Sequence, residues 1–81
     1  MSMFNKIDTV STEMPLFLNV VFRDGKKCRY DMAPLVSRYA YFKDLRNPIL
    51  FSQAAVAKGG YGVVWNSEID LCADDIYEQA R

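Results

Sequence analysis

The segment from Leu16 to Met32 constrains the fold more than any other part of the chain. Its two runs, LFLNVVF and CRYDM, place apolar side chains at every second position, and the turn sequence Arg23-Asp24-Gly25 lies between them. Successive side chains of a β-strand point to opposite faces, so each run has one apolar face. The segment therefore predicts an antiparallel β-hairpin with one buried face.

The length of the turn decides which residues face each other across this hairpin. A two-residue loop, Asp24-Gly25, would pair Phe22 with Lys27 and place an apolar side chain against a charged one. A three-residue loop, residues 23–25, makes every facing pair apolar and puts Gly25 where the turn needs a positive φ. We therefore predict the longer loop, with these facing pairs: Leu16 with Met32, Leu18 with Tyr30 and Val20 with Cys28.

Before the hairpin the chain has one further strand signal. Lys6–Val10 is typical of a short strand, and residues 11–15 are expected to form a loop in which Pro15 opens the next element.

Two proline signals predict helices after the hairpin. Ala33-Pro34 opens the first, because proline is tolerated at the first helical position, and we expect this helix to end by Tyr41. A looser turn follows. Asn47-Pro48 is a cap followed by proline and predicts one short helical turn in residues 48–53. Residues at near-helical spacing are expected to face the sheet: Leu35, Tyr39 and Phe42.

A second hairpin is predicted around Gly59-Gly60. Its strands are Ala54–Lys58 and Tyr61–Trp65, and a two-residue loop pairs Val56 with Val63. Two glycines suit the two positive-φ positions of a type I′ turn. A phosphate-binding loop would need a longer glycine pattern and a following helix, so we interpret these glycines as turn residues.

The C-terminal segment predicts a helix with Cys72 at its cap position and Ala73 as its first residue. Asp74 and Asp75 then fall in the first turn, beside the positive end of the helix dipole. Three residues are expected to face the core, Ile76, Ala80 and Tyr77, with Leu71 packed on Ile76. Trp65, the only tryptophan, is expected to be largely buried.

The order of these motifs resembles that of a small bacterial family called domain of unknown function 2442. The motifs are FRDGKKCRYDMAPL, FKDLRNPILFSQAAV and GGYGVVWNSEIDLCADDIYEQ, and the resemblance covers roughly residues 16–79. Asn47 stands where the family often has Asp, which keeps the cap. Cys72 stands where Ser is common, which weakens the cap and leaves a thiol.

The resemblance implies a small α+β domain with no assigned activity. Some relatives carry a DNA-binding helix-turn-helix after this module, and others are encoded beside a second small protein, as in toxin–antitoxin pairs. Because this sequence ends at Arg81, we expect no such DNA-binding extension here.

Composition argues against most enzyme classes. The 81 residues suit one domain, residues 1–81, and contain no histidine, which excludes Ser-His and Cys-His nucleophile pairs and mixed zinc sites. Cys28 is expected in the core. Cys72 precedes a helix, where it is either a small cap residue or a reactive thiol. The carboxylates between Glu68 and Glu78 do not match calcium-loop spacing. We expect no catalytic residue, cofactor or metal, no membrane span, and a cytoplasmic location.

Charge is divided along the sequence. Residues 21–60 hold eight bases and three acids, a net charge of +5, whereas residues 61–80 hold five acids and no base. The first hairpin carries four of the bases, a pattern that a solvated surface explains and that a docking patch would also explain. The candidate partner surface is Arg23, Lys26, Lys27, Arg29, Tyr41 and Phe17.

These observations predict a non-catalytic interaction module that acts through a second small protein or as a homo-oligomer. An open sheet of short strands leaves an edge that can pair with another chain. The alternative is a regulatory component that acts at nucleic acid, directly or through a partner. Four bases on a domain of zero net charge give that alternative weak support.

Overall fold

Two three-stranded antiparallel sheets and three short helices form the part of the chain that the structure describes. The structure is a computed structural model that describes residues 5–79, with only the backbone at Gln79. The predicted α+β fold is confirmed. The strands are Ile7–Glu13 (β1), Phe17–Phe22 (β2), Lys27–Asp31 (β3), Ala55–Val56 (β4), Gly62–Val64 (β5) and Asp70–Cys72 (β6). The helices are Ala33–Arg38 (α1), Pro48–Phe51 (α2) and Ala73–Gln79 (α3), with 3₁₀ segments at Ala40–Arg46 and Lys58–Gly60.

The first hairpin has the predicted register. Val20 faces Cys28 and Leu18 faces Tyr30, and the loop is residues 23–25. Gly25 has φ 94°, and its N–H donates to the Phe22 carbonyl at 2.9 Å. Alternation and turn chemistry therefore fixed the pairing correctly.

Strand β1 is longer than the sequence predicts. Residues 11–13 continue the strand opposite β2, with Glu13 facing Phe17, so the turn before β2 is only residues 14–16. The prediction of a loop at 11–15 is wrong in its first three residues. Backbone pairing with β2 satisfies their N–H and C=O groups, and an edge strand does not need apolar side chains on its solvent face.

Helix α1 starts where predicted but ends at Arg38, before Tyr41. Tyr39 adopts an extended backbone, φ −115° and ψ 124°, and the chain continues as a 3₁₀ segment. This break changes which side chains face the sheet. Val36 and Phe42 are buried and Leu35 is half-buried, but Tyr39 is 47% exposed, so its predicted orientation is wrong.

The predicted helix start at Asn47 is confirmed. The Asn47 Oδ1 accepts a hydrogen bond from the Ile49 N–H at 2.9 Å. The helix is shorter than predicted, since it ends at Phe51 and Ser52 is its C-cap. Helix α3 begins at Ala73 as predicted, with Asp74 and Asp75 in its first turn; Ala80 lies outside the described residues.

The second hairpin has the predicted pairing but a longer loop. Val56 faces Val63, as expected, and Gly59 and Gly60 have φ 80° and 82°. The two-residue turn is wrong: the Ala57 N–H donates to the Gly62 carbonyl, and the four residues between them include a 3₁₀ turn. This turn brings Gly60 so close to β1 that an added Cβ would lie 2.9 Å from the Ile7 carbonyl oxygen. A side chain at position 60 would therefore collide with β1.

Strand β6 was not predicted, because three residues are too short for an alternating pattern. It pairs with β5, with Leu71 opposite Val63. Asn66 closes the intervening loop, since its Oδ1 accepts from the N–H groups of Glu68 and Ile69. The chain therefore returns through a third strand directly into α3.

One apolar core joins both sheets to the helices. Trp65 is 5% exposed, as predicted; its Nε1 donates to the Phe51 carbonyl at 3.1 Å and its ring stacks on Phe51 at 6.1 Å. Cys28 is buried, also as predicted. Among the helices of residues 5–79, none has the length and apolarity required to cross a bilayer. The largest fully buried side chains are Phe22, Ile7, Leu18, Met32, Leu45, Ile76, Val20 and Val63.

Candidate binding groove

An open groove of about 500 Å³ runs between α1, the 3₁₀ segment at 40–46, β6 and α3. The break at Tyr39 turns three aromatic side chains toward it, and β6 with α3 supplies three carboxylates. We call this surface the acidic groove. It is lined by Tyr30, Leu35, Tyr39, Tyr41, Phe42, Asp70, Leu71, Cys72, Asp75 and Glu78.

Tyr41 and Asp70 hold the two walls of the groove together. The Tyr41 hydroxyl donates to Asp70 Oδ1 at 2.7 Å and accepts from the Asp70 N–H at 3.1 Å. The hydrogen bond to the Asp70 carboxylate raises the pKa of Tyr41. The ring is still 50% exposed, and it meets Phe42 edge-on at 4.7 Å. The ring is therefore held in place and remains accessible.

The carboxylates of the groove are only partly used within the described residues. Asp70 Oδ2 and the whole carboxylate of Asp75 make no hydrogen bond or ion pair within residues 5–79. Glu78 lies one helical turn beyond Asp75 and has a partner of its own. No lysine or arginine belongs to the groove lining within residues 5–79, so the described part of the lining is negative.

The buried side of the groove is apolar. Burial raises the pKa of the Tyr30 hydroxyl, and the negative charge of Asp75 adds to the effect. Burial likewise raises the pKa of the Cys28 thiol in the core behind it.

Cys72 is exposed in the groove. Within residues 5–79 no group of three or more Cys, Asp or Glu side chains has the geometry of a metal site.

The bases of the first hairpin do not line this groove, and some of them have partners on the hairpin itself or on α3. Arg29 donates from Nε and Nη2 to the Glu13 carboxylate at 3.2 and 3.1 Å, and this pair lowers the pKa of Glu13. Its guanidinium also covers the Phe17 ring at 3.8 Å. The Lys26 ammonium lies 4.4 Å from the centre of the Tyr77 ring. Arg29 and Lys26 therefore have side-chain partners within residues 5–79.

The family model described as "Protein of unknown function (DUF2442)" matches residues 7–81. The chain belongs to this family. Among curated proteins, none matches the sequence.

A solved structure supports the fold of this family member. It is a crystal structure of a protein from Nitrosomonas europaea described as a "putative DNA binding protein", with a TM-score of 0.82 and 18% sequence identity. The alignment covers 99% of this chain and 52% of the other, so the chain spans about half the length of that protein. At this identity the likeness shows the fold alone.

The sequence-predicted surface residues fall into two groups in this family member. The exposed bases Arg23, Lys26, Lys27 and Arg29 lie on the first hairpin, whereas Tyr41 lies in the acidic groove. Phe17 is half-buried beneath Arg29, so it projects outward less than expected.

The sequence prediction missed the acidic groove itself. The sequence predicts Asp75 as a first-turn acid of α3 and Tyr39 as a residue that faces the sheet, and it gives no binding role to Asp70. The available signal was the concentration of five acids in residues 61–80. It did not say which tyrosines the fold would bring beside those acids.

Proposed function

We propose that this domain is a non-catalytic binding module that attaches to another protein through the acidic groove. The observation that supports this proposal is the combination of exposed tyrosine rings and carboxylates on one concave surface. Aromatic side chains are enriched where proteins bind one another, because they bury a large area and keep a polar tip. A cytoplasmic location is part of the proposal.

Charge reversal in the groove tests this function. Asp75→Arg changes an exposed side chain that has no hydrogen bond within residues 5–79, so the fold should survive. Asp8→Arg, an equally exposed acid on β1, is the matched control. Wild-type and both variant proteins are immobilised and exposed to extract from the native cell. We expect one or more proteins to be retained by the wild type and Asp8→Arg and lost with Asp75→Arg; an unchanged set refutes the groove as the binding surface.

Nucleic acid binding is the second candidate function. Its support is the basic first hairpin, together with the description of the Nitrosomonas europaea protein. Phosphate contacts make affinity fall steeply with salt. If this function holds, labelled duplex DNA binds the domain at low salt, and Lys27→Ser weakens that binding while Asp75→Arg does not. Absence of a mobility shift at low salt removes this candidate.

Self-association remains a prediction. Within the described sheets β3 pairs only with β2, so its other edge can pair with a second copy. We expect a homodimer in which apolar contact supplies most of the affinity and hairpin bases steer association, so that salt slows association without dissolving the dimer. The bases are expected to steer toward acids such as Asp74 and Glu78, but the Asp74 carboxylate already accepts from the Asn5 N–H and Nδ2. Sedimentation at micromolar concentration in low and high salt decides, and a monomer at both contradicts the prediction.

A further inference from the structure

We propose that the acidic groove binds an arginine side chain that the partner protein presents. The inference rests on the proposed function, because it specifies the chemistry of the partner at the same groove.

Within residues 5–79, three aromatic rings have a lysine or arginine of the same chain over them. Arg29 lies over Phe17 and pairs with Glu13, and Lys26 lies over Tyr77, whose hydroxyl donates to the Asp24 carboxylate at 2.7 Å. Lys6 lies 5.3 Å from the ring centre of Tyr61. A cation over an aromatic face is attracted by the negative charge of the π system. In two of these three places a carboxylate lies beside the ring and adds to the attraction.

The acidic groove also combines aromatic rings with carboxylates, but within residues 5–79 no cation lies between them. Tyr39 and Tyr41 are 47% and 50% exposed, and within residues 5–79 no lysine or arginine lies over either ring. Asp70 Oδ2 and the Asp75 carboxylate also lack a partner there. The groove therefore complements a cation that comes from another molecule, and its walls leave room for an alkyl stem.

Arginine fits this arrangement better than lysine. Its guanidinium is planar, so one face can lie on a tyrosine ring while its N–H groups point to carboxylates at the edge. It is also more weakly hydrated than an ammonium group, which lowers the cost of leaving water. The contact of Arg29 with both Phe17 and Glu13 demonstrates this double use within the same fold.

Titration with a short peptide tests the inference on the intact domain. The probe alternates glycine with arginine and carries a fluorophore; in two matched peptides, citrulline or lysine replaces arginine. Citrulline keeps the planar shape but removes the charge. We expect the arginine peptide to bind about tenfold more tightly than the citrulline peptide, with lysine between them. Amide shifts in ¹⁵N spectra should map to Tyr41, Asp70 and Asp75.

Two groove variants measure separately what the tyrosine ring and the carboxylate contribute to binding of the arginine peptide. Tyr39→Leu keeps apolar bulk but removes the ring face, and Asp75→Asn removes the charge at nearly constant shape. Each is expected to weaken the arginine peptide about threefold to tenfold and to leave the citrulline peptide unchanged. Tyr61→Leu removes an equally exposed tyrosine outside the groove and should change neither peptide. Circular dichroism spectra confirm that each variant is folded.

The outcomes separate this inference from the proposed function. Two outcomes overturn the arginine inference and leave the proposed function standing. In the first, the arginine and citrulline peptides bind equally well in the groove. In the second, no peptide binds, but Asp75→Arg still loses a cellular partner. No peptide and no partner in the groove refutes both. Shifts on the hairpin overturn the arginine inference. So does a groove occupied by the hairpin of a second copy, detected as self-association that Asp75→Arg abolishes.

Discussion

At the scale of single residues, local chemistry decides several backbone turns. Asp24 Oδ1 accepts from the Lys26 N–H at 2.9 Å and Asp31 Oδ1 accepts from the Ala33 N–H at 2.9 Å. Asn47 does the same at the start of α2. Short polar side chains favour such turns because they supply an acceptor to a nearby backbone N–H. These residues act over two positions in sequence, so they are recognisable before the fold is known.

Gly25→Val is expected to destabilise the first hairpin. The backbone at this position has φ 94°, which costs a β-branched residue more than about 1 kcal/mol. A Cβ there would meet nothing within 4 Å, so the cost comes from backbone conformation and not from a collision. Gly25→Asn is the control, since Asn tolerates positive φ better. Urea unfolding measures both variants; equal stability of the valine, asparagine and wild-type proteins contradicts the prediction.

Trp65→Ala is expected to cost on the order of 3–5 kcal/mol, because it leaves a cavity beside Phe51 and removes the indole hydrogen bond. Trp65→Phe retains most of the buried ring, so it should cost less. Denaturation followed by circular dichroism measures both, since fluorescence is lost with the tryptophan. If Trp65→Ala unfolds at the wild-type midpoint, Trp65 does not anchor the core.

At the scale of elements, the tip of the first hairpin is fixed to α3. The Tyr77 hydroxyl donates to Asp24 Oδ2 at 2.7 Å, and the Phe22 ring meets the Tyr77 ring edge-on at 4.8 Å. The Lys26 ammonium also lies over this ring, 4.4 Å from its centre. The contact therefore holds the basic hairpin tip against α3, the same helix whose Asp75 and Glu78 line the acidic groove.

The Asp24–Tyr77 contact should make stability depend on pH at both ends of the range. Its hydrogen bond lowers the pKa of Asp24 and raises the pKa of Tyr77. Because the pKa of the Asp24 carboxyl is lower in the folded state, the contact stabilises the protein at pH values above the unfolded-state pKa. This stability is lost as pH falls through the folded-state pKa. Because the pKa of the Tyr77 hydroxyl is higher in the folded state, the contact stabilises the protein at pH values below the unfolded-state pKa. This stability is lost as pH rises through the folded-state pKa.

Tyr77→Phe isolates this pair, because it keeps the ring contacts with Phe22 and Lys26 and removes the hydroxyl. The difference in stability between wild type and variant should be constant near neutral pH. It should shrink as pH falls below the ordinary range of a carboxyl pKa and as pH rises above the ordinary range of a tyrosine pKa. Urea unfolding across this range measures the difference. A constant difference at every pH means that the hydrogen bond does not contribute.

At the scale of the whole molecule, one core unites elements that are distant in sequence. Ile7 and Phe22 from the first sheet belong to the same buried cluster as Trp65 and Ile76. Strand β1 also lies against β4, which brings the two sheets together at one edge. The apolar side chains of both sheets therefore belong to one core, and neither sheet has a separate core of its own.

Unfolding should therefore occur in one cooperative transition. Trp65, the only tryptophan, reports on the second sheet by fluorescence, whereas far-ultraviolet circular dichroism reports on all elements. We expect the two urea midpoints to coincide, as in a two-state domain. Two separated midpoints would mean that the second sheet and α3 unfold independently of the first sheet.

The elements that the sequence predicted correctly depend on residues close in the chain. The register of the first hairpin follows from alternation in two strands and a glycine between them. The starts of α1, α2 and α3 follow from proline, a capping residue or an apolar pattern. Where the prediction was wrong, contacts between elements had overridden the preference of single residues: pairing with β2 extends β1 through residues 11–13, and β1 lies so close to Gly60 that a side chain there would collide with it.

The sequence by itself determined the hairpin pairings, the helix starts and the burial of Trp65, because alternation, turn chemistry and capping act over a few neighbouring residues. Only the tertiary structure decided the acidic groove. Tyr41 and Asp70 are 29 positions apart and meet because α1 stops at Tyr39 and β6 leads directly into α3. No local pattern encodes such a meeting, since it depends on how the shared core packs the elements against one another.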